Sequence, residues 1–312
     1  MKQVVVVKGC EGFADRLQSL SHCLQYCLQN NAAICVDWRD DLWGQQTRDF
    51  ADYFEVVDVS YLTLNDVADM IKNNTSTTIF PAKWTLNDIL APPNKLTQLE
   101  SYRFTFENTY ALKEDVDIIV CNCKGTRMYH VDNLVCNLRL QKDIADIIIA
   151  RLSNVTLPFT AVHLRGTDRL KESVFIEAAI KKYDALPEYA RLRTYVFSDM
   201  IEVVKAWKEK YPETNVLFDN YSIYKIPFQK IGDNPIGVHQ YDGIILNYYG
   251  VDKHDINMDT LTDFIVLCFA KWIVANNDSS VFTKMGSFIG NAGSYGISKW
   301  LHGFSPPISF FR

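Results

Sequence analysis

The chain has 312 residues, and at roughly 150 residues per domain that length suggests two domains. A composition of 48% hydrophobic and 22% charged residues is that of a globular protein and excludes disordered, collagenous and coiled-coil classes. The net charge of −5, from 32 Lys+Arg against 37 Asp+Glu, argues against nucleic acid as the main partner, because duplex binding needs excess cation to release phosphate counterions. It still leaves room for a local cationic pocket around one phosphorylated small molecule.

Met1-Lys2-Gln3 is followed by only four valines, too short for a signal-peptide core. The longest apolar stretch, 264–275, is interrupted by Lys271 and falls well short of the ~20 residues a spanning helix needs. The chain therefore reads as soluble and cytoplasmic, with no membrane span. Eight cysteines form no C-x-x-C pair. Cys121, Cys123, His130 and Cys136 cluster in sequence, but at a spacing that matches no common zinc site. Buried free thiols in a reducing compartment are the expectation, and the Asn-x-Ser/Thr triplets at Asn73, Asn74, Asn154, Asn220 and Asn277 are then silent.

In chain order, residues 3–8 are a β-branched run that predicts a buried strand. Gly9-Cys10-Glu11-Gly12 predicts a turn. Leu17, Leu20, Leu24 and Leu28 share one face of a helix that Asn30-Asn31 ends, and 33–36 predicts a second strand. This is a β-α-β unit, the building block of a parallel sheet. Residues 37–108 are irregular and rich in aromatics, predicting short helices and long loops; their aromatics could stack on sugars or simply form core. A strand at 117–121 and a helix at 140–152 follow. Asn154 to Pro158 predicts a domain boundary, giving domains 1–157 and 158–312. The second half alternates again: strand 159–164, helix 173–183, strand 194–197, helix 200–211, strand 215–218, helix 261–271, strand 272–275, a turn and a short helix. Both halves predict α/β domains with mainly parallel sheets. Ligands of such sheets bind off the carboxyl ends of the strands.

Four loops at such ends carry candidate chemistry. Gly9-Cys10-Glu11-Gly12-Phe13-Ala14-Asp15-Arg16 precedes a helix N-terminus, where free N–H groups attract anions, but it is not a G-x-G-x-x-G fingerprint. His163-Leu164-Arg165-Gly166-Thr167-Asp168-Arg169 ends an apolar strand in His, Arg, Asp and Arg, and is followed by Lys171 and Glu172. The planar fork of arginine matches phosphate oxygens, and two arginines can neutralise a diphosphate. Ser198-Asp199 ends another strand; taken alone, Asp199 reads as the N-cap of the next helix. Asn277-Asp278-Ser279-Ser280 offers hydroxyls at a helix start, suited both to capping and to phosphate. There is no G-x-S-x-G, Walker loop, H-E-x-x-H or paired-cysteine motif.

In this order and on these elements, the motifs resemble those of the GDP-fucose-dependent fucosyltransferases, the superfamily of α1,2-, α1,6- and protein O-fucosyltransferases and the nodulation enzymes, with the best likeness to the α1,6 and nodulation branch. The family signature His-x-Arg-Arg-x-Asp is similar to His163-Leu164-Arg165-Gly166-Thr167-Asp168. Its glycine loop is similar to Gly12 to Asp15, its strand ending in Ser/Thr-Asp to Ser198-Asp199. Its closing Asp, apolar helix and strand, and Ser-Ser are similar to Asp263, 264–274 and Ser279-Ser280. The likeness anchors both halves and leaves much of 40–160 uncovered.

The resemblance implies two Rossmann-like domains facing a cleft, the glycosyltransferase B fold, with acceptor on the first and nucleotide sugar on the second. It implies inverting, metal-independent transfer of fucose from GDP-fucose to a glycan hydroxyl, with no cofactor. Carried over, His163 and Asp263 contact the guanine nucleoside, Arg165, Ser279 and Ser280 hold the β-phosphate, Asp168 and Asp199 brace the nucleotide site with Arg169 nearby, and Glu172 stands close to the proposed base. Gly12 and Asp15 of the glycine loop are likewise counted among the residues that bind the nucleotide sugar. The second Arg of the signature is Gly166 here, so the resemblance does not carry an α1,6 linkage; Arg169 is the cation that could replace it. Another nucleotide-sugar donor, or a non-catalytic nucleotide-sugar or glycan-binding protein, are the alternatives.

Overall fold

The computed structural model describes residues 2–9, 11–44, 48–74, 76–93, 99–106, 110–123, 130–166, 172–216, 226, 230–231, 234–235, 243–278, 280–291 and 294–308. The chain divides into two compact units, Met1–Lys142 and Asp143–Arg312.

The first unit opens with β1 (Val4–Lys8), buried along its whole length. β-Branched residues favour extended backbone, and burial on both faces is what a central parallel strand requires. Helix α1 (Phe13–Asn30) buries Leu17, Leu20 and Leu24 and stops at Asn31, which adopts the left-handed conformation (φ 50°) and returns its N–H to the Cys27 carbonyl. β2 (Ala33–Asp37), β3 (Phe54–Val56), α2 (Leu64–Asn73), β4 (Ile79–Phe80), α3 (Leu86–Leu90), β5 (Ile118–Cys121), α4 (Val131–Asn137) and β6 (Leu138–Leu140) follow. The short helices expected in 37–108 are present because each has its own start signal: Thr63 with Asp66, and Thr85 with Asp88, form reciprocal capping boxes. The strands in that stretch have no such local signal and depart from the expectation of helices and loops alone. The main sheet runs β2-β1-β5-β4, all parallel, and β3 pairs antiparallel with β6.

The aromatic excess of this unit is core. Phe13 stacks on Trp43 at 5.2 Å, Trp38 meets Phe50 edge-on at 5.0 Å, and all four are buried. Of the seven cysteines among the described residues, all are free; Cys23, Cys27, Cys35, Cys121 and Cys268 are buried as expected, whereas Cys123 is half-buried and Cys136 exposed. Burial pushes the thiols of Cys27, Cys121 and Cys268 well up, which suits inert packing. Among the described residues no His/Cys/Asp/Glu group is arranged to hold a metal ion.

At the carboxyl end of this sheet sits a buried ionic cluster. Lys8 donates to Asp37 at 2.6 Å and to the carbonyls of Ile89 and Ala91, both at 2.6 Å. Arg39 grips the same carboxylate through Nε (2.9 Å) and Nη2 (3.2 Å) and reaches the Leu90 carbonyl. Two cations thus satisfy the last carbonyls of α3 and tie that helix to β1 and β2.

The second unit holds α5 (Lys142–Leu152), β7 (Thr160–Leu164), α6 (Glu172–Asp184), α7 (Glu188–Arg191), β8 (Thr194–Ser198), α8 (Ile201–Lys210), β9 (Asn215–Val216), β10 (Lys230–Ile231), β11 (Asn234–Pro235), α9 (Gly243–Tyr248), α10 (Lys253–Phe269), β12 (Trp272–Ala275), α11 (Val281–Asn291) and α12 (Ser294–Trp300). α5 goes with this unit rather than with the half before the break expected at 157. Its Arg151 bonds Asp259 (3.1 Å) and Thr262 (3.0 Å) on α10. The sheet runs β12-β7-β8-β9, all parallel. Val162, Val196 and Val274 of three neighbouring strands share a core with Ala179 and Tyr183 of α6 and Val204 and Trp207 of α8. Among the described residues no helix is long and apolar enough to cross a membrane.

Both sheets have a topological switch point. In the first, the chain leaves β1 for β2 on one side and returns through β5 on the other. In the second, it leaves β7 for β8 and returns through β12. Loops diverge at such points and open a crevice at the carboxyl edge.

Asp37→Ala is expected to destabilise the fold by about 3–5 kcal/mol in chemical denaturation, because it strands the buried Lys8 charge. Lys8→Met should cost clearly less, since Arg39 still neutralises Asp37. Equal losses would show that a stranded lysine charge is not what makes the Asp37 variant costly.

Candidate functional site

The switch point of the second unit is built from the ends of β7, β12 and β8. The last paired residues across β12 and β7 are Ala275 and His163. Beyond them the side chain of Asn276 takes over from the ladder. Its Oδ1 accepts from the Arg165 N–H and its Nδ2 donates to the Arg165 carbonyl, each at 2.9 Å. On the other flank the Gly166 N–H donates to Asp199 Oδ1 at 2.6 Å. The Arg165-Gly166 turn is therefore fastened to both neighbouring strand ends.

His163 lies between two rings, Phe197 at 5.4 Å and Phe282 at 5.3 Å, and its Nδ1 bonds Thr283 Oγ1 at 2.8 Å. Burial among these groups pushes its pKa down to about 4; the nearby Arg165 charge adds to the fall and Asp199 opposes it. The ring is neutral near pH 7 and acts as a hydrogen-bonding wedge rather than as a cation. Phe282 in turn meets Phe264 of α10 at 5.3 Å, next to the half-buried Asp263.

Capping is the plain reading of both Asp199 and Ser280. For Asp199 that reading is corrected: the N-cap position of α8 is Met200, which has no side-chain cap, and the Asp199 carboxylate holds Gly166. For Ser280 it holds. Its Oγ accepts from the Thr283 N–H (3.3 Å) at the start of α11, and the residue is buried. Lys182 of α6 closes the same edge, donating to the Ala275 carbonyl (2.9 Å) and to Asp278 (2.5 Å).

Gly166 has a packing reason. A Cβ there would lie 2.5 Å from Met200 Sδ and 2.6 Å from its Cγ, so Met200 already fills that space. Asp168, Arg169 and Ser279 lie outside the described residues, as does the side chain of Glu172, whose backbone opens α6. In the first unit, Gly12 sits at the N-cap of α1 without a side-chain cap, and Asp15 in its first turn. Within this loop the closely packed glycine is Gly9, not Gly12. A Cβ there would meet Arg16 Nη1 at 2.1 Å and Trp38 Cδ1 at 2.7 Å. Buried Arg16 holds that loop from inside, through the Glu11 carbonyl (3.1 Å) and Asp40 (2.5 Å).

Asn276, Thr283, Phe197, Phe282 and Met200 are the site residues that sequence reasoning missed. The available signal was an Asn directly after a strand, one position ahead of the loop singled out.

No family model matches the sequence, and no curated protein matches it in sequence. Solved structures do resemble it. The fucosyltransferase NodZ from Bradyrhizobium superposes with a TM-score of 0.60 at 18% identity, over 92% of this chain and 93% of that one. A NodZ α1,6-fucosyltransferase soaked with GDP-fucose gives 0.57 at 17% identity, over 92% of each. POFUT1 in complex with GDP-fucose gives 0.52 at 12% identity, over 99% of this chain and 98% of that one. At these identities the likeness establishes the fold: α/β, with the two Rossmann-like units of the glycosyltransferase B class.

Two outcomes are expected of this site. Gly166→Ala should cost about 1–3 kcal/mol by overpacking against Met200. Combined with Met200→Ala, the loss should be smaller than the sum of the two single losses; additive losses would mean the two positions are not in steric conflict. Separately, the unfolded chain binds a proton at His163 between about pH 6.5 and 4 that the folded chain does not, so stability falls as pH drops through that window. The slope is at most about 1.4 kcal/mol per pH unit. Wild-type stability minus that of His163→Asn, from melts across this range, should shrink toward low pH; parallel profiles would remove the assignment.

Proposed function

We propose that the protein is an inverting glycosyltransferase that moves fucose from GDP-fucose to a hydroxyl of a glycan acceptor, with the nucleotide on the second unit and the acceptor on the first. The observation that carries this reading is the fastened Arg165-Gly166 turn at the switch point, in a fold shared with proteins solved with GDP and GDP-fucose.

The chemistry fits those residues. As the acceptor oxygen bonds to the anomeric carbon, the bond from that carbon to the β-phosphate oxygen breaks on the opposite face, and negative charge grows on the departing GDP. Arg165 at a rigid strand end, with N–H groups at the start of α11, stabilises that charge more in the transition state than in the ground state. Arg169 and Ser279 belong to the same loops and add donors. In this scheme the cationic clamp does the work that a metal ion does in other transferases. The neutral ring of His163, with Asp263 one residue from the Phe264 ring, lines the nucleoside side. Asp199 acts through Gly166 by fixing the turn, and Asp168 completes its sequence. The acceptor proton passes to Glu172, which needs little basicity because the anomeric carbon is strongly electrophilic in the transition state.

The test is a thermal-shift panel of GDP, UDP and their sugars, followed by turnover on an acceptor panel. A ligand at 100 times its Kd stabilises by ~2.7 kcal/mol, an easily read shift. GDP and GDP-fucose should stabilise, and Arg165→Ala should lower turnover at least about a hundredfold with the fold intact; chelators should leave turnover unchanged. Stabilisation by UDP alone would change the donor, GDP binding without any turnover would make this a binding protein, and full turnover in Arg165→Ala would sink the proposal.

A further inference from the structure

We infer that Asn276 is the positioning residue of the nucleotide site, an inference that rests on the reading just given. A parallel strand can extend its ladder only while its neighbour continues, and β12 ends at Ala275. Without a substitute, the N–H and carbonyl of Arg165 would face the crevice unpaired on that side. The carboxamide of Asn276 has one acceptor and one donor at the spacing of a peptide group. It answers both Arg165 groups at 2.9 Å, and its relative exposure is only 6%, so water is a poor competitor for either bond. An Asp side chain has the acceptor but, when ionised, no donor. Only an amide, or a protonated acid of the same shape, can fill both roles. The amide thus acts on the diphosphate through Arg165: it fixes the backbone from which that side chain and the Gly166 N–H are aimed. The ring of His163 is held from α11 and Gly166 from Asp199, so Asn276 is the brace that comes from the β12 side.

Among the described residues, the charged and titratable groups around this brace are Arg165 and His163 on β7 and its turn, Asp199 after β8, Lys182 on α6 and Asp278 in its own loop. None of them changes between wild type and a variant at position 276, so the ratio of variant to wild-type affinity isolates that position at each pH.

The experiment measures the Kd for GDP by calorimetry at pH 8 and pH 5 for wild type, Asn276→Asp and Asn276→Ala, with melting curves confirming that each sample is folded. At pH 8 the carboxylate that Asn276→Asp introduces is ionised and has no hydrogen to offer the Arg165 carbonyl. Two oxygens then face each other where wild type has a hydrogen bond, and this variant should bind GDP at least about tenfold more weakly. At pH 5, as the new acid takes up a proton and regains its donor, the ratio should return to within about threefold of wild type. Asn276→Ala, which has no group to titrate, should be weakened by about tenfold at both pH values; it also decides the matter if Asn276→Asp fails to fold at pH 8. Wild-type affinity in Asn276→Ala, or an Asn276→Asp ratio that does not move with pH, would overturn the positioning role while leaving the donor assignment intact. Absence of GDP binding by wild type would overturn the donor assignment itself, and this role with it.

Discussion

The constraint on which the second unit turns is that a parallel sheet cannot close its own carboxyl edge. Each strand end leaves N–H and carbonyl groups that the ladder no longer pairs, and at a switch point the flanking loops part instead of covering one another. Here two side chains answer that deficit, Asn276 after β12 and Asp199 after β8, and a third, Thr283 on α11, holds the His163 ring beside them. Their partners are Arg165, Gly166 and His163, consecutive or nearly so at the end of β7. The polar groups that define the site are therefore the same ones that finish the sheet, and stability and function draw on one set of bonds.

The first unit meets the same problem with charge. Lys8, Asp37 and Arg39 pair inside the edge of β1 and β2, and Arg16 pairs with Asp40 beneath the Gly9 loop. Burying ions costs several kcal/mol each unless every lone pair and proton is engaged, and Lys8 meets that demand with one carboxylate and two helix-end carbonyls. Burial still presses its pKa down, with Asp37 opposing. Such a cluster tolerates little movement, because any separation exposes an unpaired charge to low dielectric. In the second unit a neutral amide braces the Arg165 backbone and a hydroxyl holds the His163 ring, and His163 itself is neutral. Such bonds cost less to bury than an ion pair does.

Much of this is readable in the chain. β1, α1, β7, β8 and β12 follow from β-branched runs and helical spacing, and Asn31 from its tolerance of left-handed backbone. α10 begins at Lys253 rather than at the expected 261, because its first half hides polar residues: Lys253 and Asn257 are buried, which hydropathy cannot anticipate. β3 and β6 are three residues each and exist only by pairing with one another. In the site, His163 and Arg165 stand out because a charged end to an apolar strand is locally odd. Asn276 and Thr283 do not, since their partners lie 111 and 120 positions away and nothing local distinguishes them from turn and helix residues. Asp199 reads as a cap because an acid before a helix usually is one; the N-cap of α8 is instead Met200, and the Asp199 carboxylate turns to Gly166.

The same non-local logic gives a reason for glycine at position 166. Where the resembling motif has a second arginine, this chain has glycine, and the sequence alone offers no reason. The reason lies across the turn: Met200, 5% exposed, occupies the volume that any side chain at 166 would enter. A side chain at 166 therefore requires the Met200 side chain to shift. With Met200 in place, the turn keeps one arginine at its apex and gains an unshielded Gly166 N–H that Asp199 can reach at 2.6 Å. A side chain at 166 that displaced Met200 would also disturb the start of α8, where Met200 bonds Ser198. Glycine at this position is thus part of how the β7 turn is fastened.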